Sequence, residues 1–361
     1  MEYKKRSNVA LVVPTIRKDR LIDFVERWKK IGLFDVVDLI IVEDNPTRSF
    51  PFPNDVNCVH VAWKDIAIAL DENQWIIPRR SDTIRSYGYF LAWHMEYDFI
   101  MTLDDDCYPA TKEDGLQYDG RTFVEEHLRW LMGRSRWQST LNTARPRGIP
   151  YRNLGKTTNI VLNHGLWTNV LDYDSLNQLA SPVKEKFLFD NRIVPQGFYF
   201  PMSGMNLMWK REATVLLYHL MMGHRMVTFD EQAGMADDKL EKLPYDRMGD
   251  IWAGIFLKKI CDFNGLLVST GMPYVRHERA SDPFINLQKE TNGIVTNEKL
   301  WEHVDKFVPG YRDMETHSLV ADYEFLGDHV AKYDGSPEYK GYFEELGKAM
   351  RVWASLFKEG E

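Results

Sequence analysis

Cysteine is scarce. The chain has three in 361 residues, Cys58, Cys107 and Cys261, odd in number and widely spaced, which excludes a disulfide framework and a cysteine-based zinc pattern. A reducing compartment is the expected setting. Positive charge is in deficit: 45 Lys+Arg against 53 Asp+Glu give a formal charge of −8, without the basic footprint that nucleic acid or an anionic membrane surface demands. No nucleic-acid partner is expected. Long apolar runs are missing too, since the longest uncharged stretch, 193–209, is broken by Pro195, Gly197, Pro201 and Gly204, so membrane insertion is not expected. Residues Met1–Ser7 are charged, lead into a strand-like segment and hold no secretory h-region, which makes the cytoplasm the expected location. There is no Walker A sequence and no Rossmann glycine fingerprint, which argues against kinases, ATPases and enzymes using flavin or NAD. What is present, 44% hydrophobic and 27% charged residues with no low-complexity tract, describes an ordered globular protein.

The first third alternates two kinds of pattern. Asn8–Thr15 (NVALVVPT), Val36–Val42 (VVDLIIV) and Asp98–Leu103 (DFIMTL) are short and apolar, as strands buried on both faces of a parallel sheet are. Arg20–Ile31 and Ser81–His94 have helical spacing, the latter opened by a capping-type Ser81 or Asp82. Strand, helix, strand, helix, strand predicts a doubly wound α/β sheet with its ligand beyond the carboxyl ends of the strands. Residues 145–282 are rich in aromatics, Gly and Pro and predict mixed sheet and loops. From about Thr296 the pattern becomes amphipathic helix, a cap or a contact in a homo-oligomer. The expected division is a catalytic domain over 1–295 and a helical extension over 296–361.

Asp104-Asp105-Asp106 closes the third predicted strand, and three adjacent carboxylates repel one another unless a cation neutralises them. Alternation along a strand would bring Asp104 and Asp106 to one ion and turn Asp105 elsewhere, toward a ribose hydroxyl. Mg²⁺ or Mn²⁺ suits such a site, being held by one or two carboxylates plus phosphates and water. An acidic loop capping the next helix is the alternative. A metal with few protein ligands at a strand end implies a nucleotide diphosphate as the third partner, and so a nucleotide-sugar enzyme.

The segments Val13-Pro14-Thr15-Ile16-Arg17, Leu103–Cys107 (LDDDC), His164-Gly165-Leu166-Trp167, Asp172-Tyr173-Asp174 and Phe200–Leu207 (FPMSGMNL) resemble the reversibly glycosylated polypeptides, the plant-type UDP-arabinopyranose mutases of glycosyltransferase family seventy-five. Ile251–Gly254 (IWAG), Ile260-Cys261-Asp262 and Gly271–Glu290 continue the resemblance in the same order, over about residues 9 to 295. It weakens across 46–80 and 224–246. It implies a glycosyltransferase-A-like fold that binds a UDP-sugar with a divalent ion and interconverts UDP-arabinopyranose and UDP-arabinofuranose without flavin. It also implies reversible glycosylation of an arginine followed by Gly, which falls on Arg147. A guanidinium has no free lone pair, so Arg147 either receives an oxocarbenium-like sugar with the help of a base or clamps a pyrophosphate oxygen. The family's second functional arginine falls here on Leu154 or Gly155, with Arg152 the nearest candidate.

Asp250 stands where the family has a pair of aspartates, the first replaced by Gly249, with Asp246 and Arg247 just before it. It reads as a base for a sugar hydroxyl or as a helix N-cap. His277 reads as the late metal ligand that such folds use or as a structural residue. His164, with Trp167 in its block, is open between substrate contact and core packing. Arg17 and Arg85 are expected around the diphosphate, or on solvated faces, and Thr15 is expected to contact substrate from the strand end in the same crevice. Asp44 and Asp105 are expected at uracil or ribose, and Gly204 and Asn206 where backbone approaches the sugar. Two other readings remain: a transferase with the same donor site and a separate acceptor, and a non-catalytic subunit that binds nucleotide sugar.

Overall fold

The computed structural model describes residues 4–50, 56–134, 147–148, 158–180, 191–225, 239–278, 281–310 and 317–358. Its strands are β1 (Val9–Thr15), β2 (Asp38–Glu43), β3 (Cys58–Val61), β4 (Phe99–Leu103), β5 (Cys107–Pro109), β6 (Ile160–Asn169), β7 (Arg192–Ile193), β8 (Asn206–Lys210) and β9 (Leu267–His277). They form one sheet in the order β3-β2-β1-β4-β8-β6-β9-β5, with β7 on β9. The pairs among β1 to β4 are parallel, β8 runs antiparallel between β4 and β6, and β6 and β9 are parallel. This is the doubly wound, mixed α/β sheet expected above.

The apolar runs explain the centre. β2 is buried along its whole length and β1 nearly so, which strands achieve only with layers on both faces. Helix Lys18–Lys30 buries Leu21, Phe24, Val25 and Trp28 against one face, and helix Ile84–His94 covers the other. Gly88 makes the second contact possible. A Cβ there would lie 2.5 Å from Val12 Cγ1 and 2.7 Å from Val42 Cγ2. Gly88→Ala is therefore expected to lower stability in urea denaturation by roughly 1–3 kcal/mol, the range for overpacking a filled core, and an unchanged midpoint would refute the contact.

Consecutive strands β1, β2 and β3 go one way from β1 while β4 lies on its other side, so the order reverses between β1 and β4. A crevice opens at such a point beyond the carboxyl ends. Thr15 ends β1 there, and Asp104-Asp105-Asp106 follow β4.

The C-terminal helices Leu319–Val330 and Lys340–Ser355 are present as predicted, but they are not set apart. Tyr323, Tyr342, Phe343 and Trp353 belong to the same buried cluster as Tyr218, Tyr245 and Trp252. The boundary expected at 295/296 falls inside one continuous helix, Pro283–Asp305. Among the described residues no helix is long and apolar enough to cross a membrane.

Candidate active site

The aspartate triplet leaves β4 as a tight turn, closed by Cys107 N–H donating to the Asp104 carbonyl at 3.0 Å. The strand alternation that the sequence had suggested therefore does not govern its side chains. The turn brings the carboxylates to cationic partners, Asp104 to Arg85 and both Asp105 and Asp106 to Arg17. Asp104 Oδ1 accepts from Arg85 Nη2 at 2.8 Å. Asp105, buried, accepts from Thr15 Oγ1 at 2.7 Å and forms an ion pair with Arg17. Asp106 Oδ2 lies 3.3 Å from Arg17 Nη2, and its Oδ1 lies 4.0 Å from His277 Nε2. Burial pushes the Asp105 carboxyl up to about 6, with Arg17 and Thr15 pulling the other way. Burial and the charge of Asp104 also raise Asp106.

Arg85 is pinned in the first turn of its helix. Besides Asp104 it pairs with Asp82 and donates to the Gly204 carbonyl at 2.7 Å. Gly204 is glycine because a Cβ would meet Arg85 Nη1 at 2.6 Å and His219 Cε1 at 2.9 Å. The close approach at Gly204 is thus made by this guanidinium. Asp82 also takes the Nδ1 side of the buried His219 ring. Burial opposes ionisation of Asp82, but Arg85 and His219 outweigh it and hold the carboxyl well below its usual range.

Asp250 begins helix Gly249–Phe263, its Oδ2 accepting from Gly204 N at 3.1 Å and its Oδ1 from Ile251 N at 2.9 Å. Burial, with the charges of Asp82 and Asp172, pushes it up to about 8. It is not the N-cap that the sequence offered as an alternative: Met248 holds that place, and Asp250 lies in the first turn, where it joins the helix start to the Gly204 backbone.

The other expected residues are placed as follows. Asp44 is buried, accepting from Trp63 Nε1 at 2.6 Å, and its backbone N–H meets the Thr15 carbonyl at 2.8 Å. His164 packs edge-on to Trp167 and Phe200, with Nδ1 3.1 Å from Thr270 Oγ1, and burial lowers it to about 4. Asn206 donates to the Leu166 and Pro273 carbonyls and its Oδ1 pairs with His127 Nε2, so its polar atoms are spent inside the sheet. Arg147 lies with Gly148 in an exposed turn. Arg152, Leu154 and Gly155 lie outside the described residues. The sequence had named Asp82 only as a cap and Arg247 only as a neighbour, and had passed over His219. The spacing of Asp82 three residues before Arg85 was the available signal for that ion pair.

The sequence reading expected a divalent cation at Asp104, Asp106 and His277, of which Asp106 and His277 face each other at 4.0 Å and Asp104 is bonded to Arg85. Nδ1 of His277 lies 3.0 Å from the Val170 carbonyl, a bond only a protonated Nδ1 can make. In the neutral ring this leaves the Nε2 lone pair toward the Asp106 carboxylate, two acceptors with no donor between them. Among the described residues no group of three or more His, Cys, Asp or Glu side chains is placed to hold a metal ion, so a cation beside Asp106 and His277 would depend on phosphate and water oxygens for its other ligands.

The family model described as reversibly glycosylated polypeptide matches residues 4–361. A "Probable UDP-arabinopyranose mutase 1" of Pisum sativum is 31% identical, the match covering 98% of this chain and 91% of that protein. "UDP-arabinopyranose mutase 1" of Arabidopsis thaliana is 30% identical, with 98% and 93% covered. Among solved structures, S. aureus TarS overlays with a TM-score of 0.35 at 10% identity, covering 98% of this chain and 56% of that one. Since the match runs nearly from end to end and takes in the aspartate turn, both site arginines and Asp250, this chain belongs to the family of reversibly glycosylated polypeptides.

Proposed function

We propose that this protein is a metal-dependent, flavin-independent mutase that interconverts the pyranose and furanose forms of a UDP-sugar, UDP-arabinose first. The observation that carries the reading is the Asp104–Asp106 turn, braced by Arg17 and Arg85 at the strand-order reversal, in a chain whose relatives bear the mutase name. Asp104, Asp106 and His277 would hold Mn²⁺ or Mg²⁺, which when bound offsets negative charge on the departing diphosphate. Arg17 and Arg85 add fixed positive charge around the same group. Thr15, Asp44 and Asp105 line the nucleoside side. Once the bond from C1 to the phosphate oxygen breaks, ring exchange requires O4 to lose a proton as it bonds C1 and O5 to gain one as it leaves. Asp250 carries that proton. Arg147 orients or receives the glycosyl group until UDP recaptures it. The three cysteines are free thiols, in keeping with a cytoplasmic setting, and association into a homo-oligomer belongs to the same reading.

The test is incubation with UDP-arabinopyranose, and separately UDP-galactopyranose, plus Mn²⁺, with chromatography of the nucleotide sugars and intact-protein mass spectrometry. The furanose isomer is the expected product, and a gain of one sugar mass would place the glycosyl group on the protein. Free UDP released only when an acceptor is supplied would support a transferase instead.

The proton role has its own signature. Below about pH 8 the Asp250 carboxyl keeps its proton and cannot accept another, so kcat/KM should climb as pH rises through about 8. Asp250→Asn should flatten that limb and lower turnover by roughly 10²–10⁴-fold, the usual span for a lost acid–base group. A limb that persists unchanged in the asparagine variant would exclude Asp250 as the carrier.

A further inference from the structure

Arg17 and Arg85, beside the aspartate turn, already bond carboxylates of the chain. Arg17 is taken by Asp105 and Asp106, and Arg85 by Asp104, Asp82 and the Gly204 carbonyl. Arg247 differs. Its Nε donates to Glu290 Oε1 at 2.9 Å, while Nη1 and Nη2 make no hydrogen bond to another described residue. The side chain is 38% exposed and feels the charges of Asp172 and Asp250. Its backbone sits at φ +61, left-handed, a conformation an arginine keeps only where the surroundings impose it and one that gathers at ligand clamps.

The guanidinium is held by a buried carboxylate. Glu290, on helix Pro283–Asp305, is 6% exposed, and its second oxygen accepts from Ser175 N at 2.8 Å. One buried carboxylate thus fixes Arg247 and also the segment after β6, which bears Asp172 and the Val170 carbonyl bonded to His277.

We propose that Arg247, with Asp172, binds a vicinal pair of hydroxyls on the sugar of the nucleotide sugar, and that Glu290 is its positioning residue; this rests on the nucleotide-sugar reading above. The neighbourhood selects hydroxyls over phosphate. Asp172 beside the guanidinium disfavours an anion, whereas a diol accepts from the Arg fork and donates to a carboxylate.

Calorimetric binding of UDP and of UDP-arabinopyranose, each with Mn²⁺, tests this in wild type, Arg247→Met, Arg247→Lys and Glu290→Gln. Arg247→Met should weaken the nucleotide sugar roughly tenfold or more, as loss of charged hydrogen bonds does, and leave UDP within about twofold. Arg247→Lys should recover part of the loss, and Glu290→Gln should show a smaller loss of the same selectivity, which a merely structural defect would not produce. Equal weakening of UDP and UDP-sugar, or no change in either, would overturn the inference. Wild type that isomerises UDP-arabinopyranose while Arg247→Met keeps the wild-type affinity ratio overturns it alone. Wild type that binds no nucleotide sugar overturns the proposed function as well.

Discussion

Asp106→Ala is expected to reduce formation of the furanose isomer by about 10³-fold, some 4 kcal/mol of transition-state stabilisation, with the fold intact. The argument starts from crowding. Asp106 is 6% exposed, close enough to Asp104 for the two charges to raise its protonation, and it faces His277 across 4.0 Å. Such a carboxylate is costly without a cation, so alanine should leave thermal stability equal or slightly higher while removing a metal donor. Asp105→Ala would behave differently, because Asp105 anchors Arg17 and Thr15 and its loss would loosen the β1 loop. The check is chromatography across a Mn²⁺ series together with a melting curve. Activity within tenfold of wild type at saturating Mn²⁺ would remove Asp106 from the metal site.

Trp353→Ala is expected to cost about 4 kcal/mol, within the 3–5 kcal/mol typical of emptying a buried tryptophan site. Trp353 is wholly buried in the last helix, stacks on Tyr218 at 5.3 Å, meets Phe357 at 4.9 Å and donates from Nε1 to the Val215 carbonyl at 2.8 Å. Truncation opens a cavity and leaves that carbonyl unpaired. Since domains hold only about 5–15 kcal/mol in total, the loss should be plain in urea denaturation. Because the cluster is shared, circular dichroism and tryptophan fluorescence should shift together. A separate early transition confined to the C-terminal helices would show instead that they form an independent unit.

The parts legible in sequence are those where burial alone dictates composition. β1, β2 and β4 are apolar because both faces are covered, and the helices at 18–30 and 84–94 show their buried stripes. β3 was missed because Cys58–Val61 is four residues long and only half buried. The register of β6, β8 and β9 was also hidden, since they pair over separations of 40 to more than 100 residues.

The site divides in the same way. Three adjacent aspartates advertise themselves by their repulsion. The Asp82–His219 contact spans 137 residues and leaves no local trace. Asn206 sits in a block shared with the family, yet its amide serves His127 and two sheet carbonyls, a demand seen only once the strands are paired. Arg247 is marked by its backbone angle, which composition does not encode.

The order of residues along the sheet has one more consequence. The groups proposed for metal and nucleotide come, His277 aside, from residues 15 to 106, on the parallel half of the sheet, whereas Asp172, Arg247, Asp250 and Glu290 come from the later half. Under the proposed function, nucleotide choice and sugar choice are written in separate stretches of chain. Substitution can accumulate in the second stretch and retune the sugar while the grip on the nucleotide is inherited unchanged.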